Sequence, residues 1–175
     1  MKRYQILLLA LISFFSFRVS AQSEKAINLY TQGNQAMQSY RYTDAFDFFN
    51  EAVKLSPNTF PFLYNRGTAA LMLHKDSIAI ADFTKCTISD PTSEDAFVSL
   101  GDAYVDAKKY AEAVTAFEKA LALNPKNAEV TDKKALALVF ADRRQDACAA
   151  FEKAIQLGFP MAEVHKETYC KKEYK

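Results

Sequence analysis

The chain repeats itself every 34 residues, and this period constrains its fold more than any other feature of the sequence. Five columns of residue types keep one register along the chain. They are Gly33, Gly67 and Gly101; Pro57, Pro91 and Pro125; Phe49, Phe83, Phe117 and Phe151; Ala45, Ala79, Ala113 and Ala147; and Ala52, Cys86, Ala120 and Ala154. A regular period of this length indicates structural units that pack against their neighbours in sequence.

The unit between Glu94 and Pro125 predicts a pair of antiparallel helices. Two apolar stripes recur at helical spacing, the first formed by Phe97, Leu100, Gly101 and Tyr104 and the second by Ala113, Phe117, Ala120 and Leu121. Residues 108–110 are expected to form the turn between them. Small side chains at Gly101 and Ala113 let the helices approach closely, and Phe117 fills the space that remains. Pro125 ends the second helix, because proline cannot continue it and disfavours helix at the residue before.

This pattern resembles the tetratricopeptide repeat (TPR) family. The third unit carries all of the family's landmarks, which are Phe97, Leu100, Gly101, Tyr104, Ala113, Phe117, Ala120 and Pro125. The first two units have Ala36 and Ala70 where the family prefers an aromatic residue. The fourth departs at Thr131 and Lys134, and it ends in Gly-Phe-Pro at 158–160 instead of Asn-Pro. The resemblance implies an all-α fold, an α-solenoid of about four TPR helical hairpins near residues 26–59, 60–93, 94–127 and 128–159.

The C-terminal segment, near 160–172, is expected to form a capping helix. Its helical spacing is carried by Met161, Val164, His165, Thr168 and Tyr169. A terminal repeat without such a cap would expose its apolar face, so we expect this helix to cover the last repeat.

The first 21 residues have the order of parts of a secretory signal peptide. Lys2 and Arg3 precede an apolar run over 6–17, and residues 19–21 are Val-Ser-Ala, which suits cleavage before Gln22. A membrane anchor is the alternative, but a span needs roughly 20 apolar residues. Cleavage would leave a TPR domain over 22–175 with no membrane span, and the net charge would change from +1 to −2. We expect it to be periplasmic or secreted, and the absence of an Asn-x-Ser/Thr sequon favours a bacterial periplasm.

The resemblance implies a concave groove lined by the first helix of each repeat, which would bind an extended segment of another protein. The candidate partner-binding residues are Tyr30, Asn34, Met37, Tyr64, Asn65, Thr68, Met72, Asp95, Ser99, Asp102, Asp106, Asp132 and Lys133. Asn side chains can pair with any peptide backbone, because they carry both donors and acceptors. Glu129 adds to the acids of the third and fourth units, which predicts Lys or Arg in the partner at that end. The alternative is that these positions form solvated helix faces that bind nothing.

A specialised version of this groove is excluded. Some TPR proteins clamp a C-terminal carboxylate with two Asn and three cationic residues, and Asn34 and Asn65 match the two Asn positions. The cationic positions hold Tyr30, Asp95 and Ser99, and Asp95 would repel a carboxylate.

The three cysteines divide into two kinds. Cys86 occupies a column otherwise filled by Ala and is predicted to be a small core residue. An oxidising compartment permits a disulfide between Cys148 and Cys170, and the segment around them resembles the end of other exported bacterial TPR proteins. Two unpaired thiols are the alternative, because spacing alone does not establish connectivity. A metal site formed by Cys148, His165 and Cys170 is the third possibility; it is not expected, because zinc ligands usually come in tighter pairs.

No motif for catalysis is found. The chain has no Gly-x-Ser-x-Gly and no phosphate-binding loop, and a net charge of +1 gives no basic field for nucleic acid. We therefore expect a non-catalytic adaptor without a cofactor, which binds a protein segment outside the cytoplasm. The alternative is a self-associating or accessory component of a cell-envelope assembly that uses the convex face or the ends of the stack, in which case a homo-oligomer is expected.

Overall fold

The computed structural model describes residues 22–171, and within them every regular element is an α-helix. The predicted signal peptide and residue 172 of the predicted cap lie outside the described residues. The described part of α1 covers 22–38, followed by α2 (Tyr42–Leu55), α3 (Phe60–Met72), α4 (Asp76–Ser89), α5 (Glu94–Asp106), α6 (Tyr110–Leu123), α7 (Ala128–Phe140), α8 (Arg144–Gln156) and α9 (Met161–Cys170). The predicted all-α helical-repeat fold is confirmed.

A tight turn joins the two helices of each pair, and the four turns recur at the 34-residue period. A backbone N–H donates to the carbonyl five residues earlier at a distance of 2.8–2.9 Å in Arg41–Ala36, Lys75–Ala70, Lys109–Tyr104 and Arg143–Leu138. The residue before each donor is left-handed, with φ between 52° and 59° at Tyr40, His74, Lys108 and Asp142. This is the usual hydrogen-bonded end of a helix. The third turn covers 107–109, so Tyr110 begins α6 and is not part of the turn as predicted.

The two helices of a pair begin differently. Ser93 accepts a hydrogen bond from the N–H of Ala96 at 3.2 Å, and Asn127 accepts one from Val130 at 3.0 Å, so α5 and α7 have side-chain N-caps. The second helices start after Arg or Lys without such a cap. They carry an acid in the first turn, where it complements the positive end of the helix dipole.

The described residues divide within α3 into two compact units, 22–69 and 70–171. In the first unit, the ring of Phe49 is fully buried against Gly33, where a Cβ would overlap the ring. In the second unit, Phe117 lies against Gly101 in the same way. In both units the glycine therefore lets the aromatic ring reach the helix backbone, as the sequence predicted for the third repeat.

The cap helix α9 packs on α8 and also touches α7. Ala162 is fully buried, and His165 and Tyr169 are partly buried. Three members of the predicted stripe were placed on the wrong face: Met161, Val164 and Thr168 are exposed. The reason is that bonds from His165 and Cys170, described below, fix the rotation of this helix. No helix among residues 22–171 is long and apolar enough to cross a bilayer.

Candidate functional site

In the first unit, three predicted partner-binding residues form one hydrogen-bonded group, the amide cluster Tyr30, Asn34 and Asn65. The Nδ2 of Asn65 donates to the Oδ1 of Asn34 at 2.7 Å and to the hydroxyl oxygen of Tyr30 at 3.2 Å. These bonds use both N–H groups of Asn65. Its carbonyl oxygen and the amide N–H groups of Asn34 have no partner among residues 22–171.

Aromatic packing holds this cluster in place. The Tyr30 ring lies 5.8 Å from the ring of Phe49 and 4.9 Å from that of Phe62, measured between centroids. Tyr64 stacks on Phe60 at 5.9 Å with nearly parallel planes. Of the remaining candidates in this unit, Thr68 donates its hydroxyl to the carbonyl of Tyr64 at 3.0 Å, and Met37 is half-buried.

In the second unit, the candidates on α5 and α7 form the ionic cluster Asp102, Glu129 and Lys133. The Nζ of Lys133 lies 2.8 Å from Asp102 and 3.6 Å from Glu129. Burial raises the pKa of Asp102 in spite of the lysine, and Asp106 and Glu129 act in the same direction. Burial works against the charge of Lys133, but its bonds to Asp102 and Glu129 outweigh this and raise its pKa. The cluster contains two carboxylates and one ammonium group, so it has one acid in excess.

Asp132 was predicted to face the groove, and the structure shows it buried instead. Its side chain is only 4% exposed, and both carboxylate oxygens lie 2.9 Å from Nδ1 of His165 on the cap helix. A buried carboxylate needs such a partner. Asp132 therefore anchors the cap, and it is not available to another protein.

The other candidates of the second unit remain accessible. Asp95 and Asp106 are exposed, Ser99 is half-buried, and Met72 is 50% exposed. The acidic surplus on α5 and α7 is smaller than predicted, because Asp132 is buried and Asp102 is paired with a lysine.

The predicted bond between Cys148 and Cys170 is formed in the structure, with the Cα atoms 5.8 Å apart. It links α8 to the end of α9. Arg144 supports the same junction by donating from Nε to the carbonyl oxygen of Tyr169 at 2.6 Å. Because both sulfurs are in the disulfide, the alternative metal site at Cys148, His165 and Cys170 would have no thiolate ligands.

Cys86 is fully buried, as predicted for its column. Burial raises the pKa of its thiol to about 12, and Asp82 adds to the shift. It is a core residue without the features of a reactive thiol.

A group that the sequence reasoning missed lies where the second and third repeats meet. Ligand atoms of His74, Asp76 and Asp106 are all within 4.8 Å of one another. The repeat pattern carried a signal for this group. The positions 34 residues later hold Lys108, Tyr110 and Phe140, so the three residues differ in chemistry from their equivalents in the next repeat.

Comparison with known proteins agrees with this architecture. The family model of the tetratricopeptide repeat matches residues 94–127, the span of the third predicted repeat. No curated protein sequence matches the chain. The chain is a helical-repeat protein that contains a tetratricopeptide repeat at residues 94–127, and its fold is similar to that of solved TPR proteins.

Solved structures of similar fold include the following three. MamA from Desulfovibrio magneticus RS-1 is 24% identical with a TM-score of 0.72, and the match covers 75% of each chain. YrrB, a TPR protein with an unusual peptide-binding site, is 18% identical with a TM-score of 0.78, over 92% of this chain and 87% of YrrB. The first TPR of Spaghetti (RPAP3), bound to the HSP90 peptide SRMEEVD, is 26% identical with a TM-score of 0.61, over 66% of this chain and 91% of that one.

Proposed function

We propose that the protein is a non-catalytic adaptor that binds an extended segment of another protein along the first helices of its repeats. The observation that carries this proposal is the amide cluster, in which two Asn side chains are fixed side by side and keep backbone-pairing groups unused. The similarity to the peptide-bound first TPR of Spaghetti, and to YrrB with its unusual peptide-binding site, supports the same use.

The amide cluster suits a peptide backbone better than a particular side chain. Asn65 offers a carbonyl oxygen and Asn34 offers amide N–H groups, which match the donor and acceptor of one peptide unit. Tyr30 is held by two rings, so little side-chain freedom is lost when a segment binds.

The ionic cluster adds a preference for a basic segment. Asp95 and Asp106 are exposed on the same helix as Asp102, and Glu129 is exposed on α7. A Lys or Arg side chain near them would meet net negative charge. A segment rich in Asp or Glu would be repelled by these acids.

Site-specific photo-cross-linking tests this proposal. A photoreactive residue placed at Thr68 or Ser99 should capture a protein partner from the source cells, whereas the same residue at the exposed second-helix position Lys119 should not. Asn65→Ala should abolish capture at Thr68, and its matched control Asn50→Ala should not. Equal capture at all three positions would contradict binding on the first helices.

The charge preference has its own test. Binding of the captured segment should weaken as salt rises and should be lost in the double variant Asp102→Lys/Asp106→Lys. An affinity that is insensitive to both changes would remove the preference for a basic segment and leave the amide cluster as the binding feature.

We also propose that the protein acts outside the cytoplasm, after cleavage between Ala21 and Gln22. The order of charged, apolar and small residues at the start of the chain supports this, as does the disulfide at Cys148 and Cys170. N-terminal sequencing of the protein from fractionated cells tests it, and an intact Met1 in a cytoplasmic fraction would contradict it.

One observation favours self-association as a second function. On α9, Met161 and Val164 are 51% and 57% exposed, which leaves apolar area on the outer face of the last helix. If two copies join there, Met161→Glu/Val164→Glu should convert a dimer to a monomer in light scattering. A monomeric wild type at high concentration would exclude this alternative.

A further inference from the structure

The contact between the second and third repeats differs chemically from the equivalent contact one repeat later. Tyr110 at the start of α6 stacks on Phe140 at the end of α7, with centroids 5.2 Å apart. The residues 34 positions earlier are Asp76, at the start of α4, and Asp106, at the end of α5. An aromatic pair in one junction is thus replaced by two carboxylates in the other.

Two carboxylates this close repel each other unless a positive charge lies with them. The third member of the group is His74, which takes the position that Lys108 has in the next turn. A lysine there would supply a fixed positive charge, whereas an imidazole supplies a lone pair that binds metal ions. In addition, Oδ1 of Asp76 is buried and accepts no hydrogen bond from residues 22–171.

We propose that His74, Asp76 and Asp106 bind one divalent transition-metal ion of the Zn²⁺ class. The ligand atoms lie within 4.8 Å of one another, and ligands of one zinc ion lie about 3.5 Å apart, because each is about 2 Å from the metal. Small side-chain rotations at the exposed His74 and Asp106 close this difference. The ion would join the turn after α3 to the end of α5, and a solvent water would complete its coordination.

The donor set selects the class of metal. One imidazole nitrogen and two carboxylate oxygens suit Zn²⁺, Ni²⁺ or Co²⁺. Ca²⁺ takes six to eight oxygen ligands and Mg²⁺ keeps most of its water, so neither fits a site of three ligands that includes nitrogen.

Titration of the full chain with Zn²⁺, prepared without a histidine tag, tests the site by two independent readouts. Calorimetry should give one ion per chain, and Tm should rise by about 5 °C at a Zn²⁺ concentration of about a hundred times its Kd. The proton NMR signals of the two histidines provide the second readout in the wild type, where the His74 imidazole should shift and that of His165 should not. His74→Ala assigns the signals.

Variants then locate the ligands. His74→Ala, Asp76→Asn and Asp106→Asn should each weaken Zn²⁺ binding at least tenfold, whereas Glu112→Gln, which removes the first-turn acid of the next repeat, should not. Asp76→Tyr/Asp106→Phe should rebuild the aromatic pair and abolish binding. Circular dichroism checks that each variant is folded.

Several results would overturn the proposal. They are unchanged binding in the three single variants, a shift of His165 in place of His74, Ca²⁺ binding as tight as that of Zn²⁺, or no binding at about 100 µM free Zn²⁺. The histidine signals of the wild type decide the matter even where a variant does not fold.

Discussion

The third repeat and the C-terminal end of the chain are stabilised by different kinds of contact. The third repeat depends on a buried ring, Phe117, that lies directly on the backbone at Gly101. The fourth repeat and its cap keep the equivalent ring, Phe151, but add a disulfide and a buried His–Asp pair. An interior repeat is covered by neighbours on both sides, whereas the last repeat needs specific bonds to hold a short helix over its apolar face.

The largest expected effect is in the interior repeat. Phe117→Ala should lower the free energy of unfolding by about 3–5 kcal/mol, because it removes a fully buried ring and leaves a cavity. Phe117→Leu should cost clearly less, because it keeps most of the volume. Urea denaturation measures both, and a loss below about 1 kcal/mol for the alanine variant would contradict the role given to this column.

Breaking the disulfide should affect the end of the chain alone. Cys148→Ser/Cys170→Ser should lower the free energy of unfolding by about 3 kcal/mol. This is the value expected for a closed loop with a sequence separation of 22. Hydrogen exchange should rise in α9 and stay unchanged in α5 and α6. Reduction of the wild type is the matched control and should reproduce the change, whereas equal exchange in both forms would show that the cap does not depend on the bond.

The buried pair of His165 and Asp132 gives a further test of how the cap is held on the last repeat. His165→Ala should lower the free energy of unfolding by about 2 kcal/mol or more, because it leaves the Asp132 carboxylate buried without a partner. The double variant His165→Ala/Asp132→Asn should recover part of this loss, because the uncompensated charge is gone. A double-mutant cycle in thermal unfolding gives the coupling, and additive losses would mean that the two side chains act independently.

A smaller effect is expected at the turn that leads into the cap. Gly158 has φ of +91° and nothing within 4 Å of the position of a Cβ, so its role is conformational. Gly158→Ala should cost about 1 kcal/mol, and Gly158→Asn should cost less because Asn tolerates positive φ better. Equal Tm values for wild type and both variants would show that this turn does not need glycine.

The last prediction concerns pH. The thiol of Cys86 has a pKa of about 12 in the folded chain and an ordinary value of 9.0 when unfolded. A raised pKa in the folded state means that stability is fully present below pH 9 and falls as pH rises from 9 toward 12. Stability should therefore fall less steeply above pH 9 in Cys86→Ala than in the wild type, and parallel profiles would contradict the buried, neutral thiol.

How much was predictable depends on the range of the contacts. The helices, the ring columns and the core position of Cys86 follow from the 34-residue period, because each repeat places the same residue type in the same environment. The rotation of α9 could not be predicted in this way, because bonds to two other helices outweigh its own apolar pattern. Asp132 was assigned to the surface for the same reason, since its partner His165 lies 33 residues away in a segment that breaks the period. The group of His74, Asp76 and Asp106 could be recognised in the sequence only because these residues differ in type from those 34 positions later.

The four turns inside the repeats combine a constant backbone with a changing side chain. Tyr40, His74, Lys108 and Asp142 share one left-handed conformation, although they include a phenol, an imidazole, an ammonium group and a carboxylate. All four are exposed. Since the geometry of the turn resides in the main chain, each of these positions can change its chemistry without rebuilding the helices around it. The scaffold thus carries a regularly spaced row of places where a new charge, ring or ligand atom can be introduced at little structural cost.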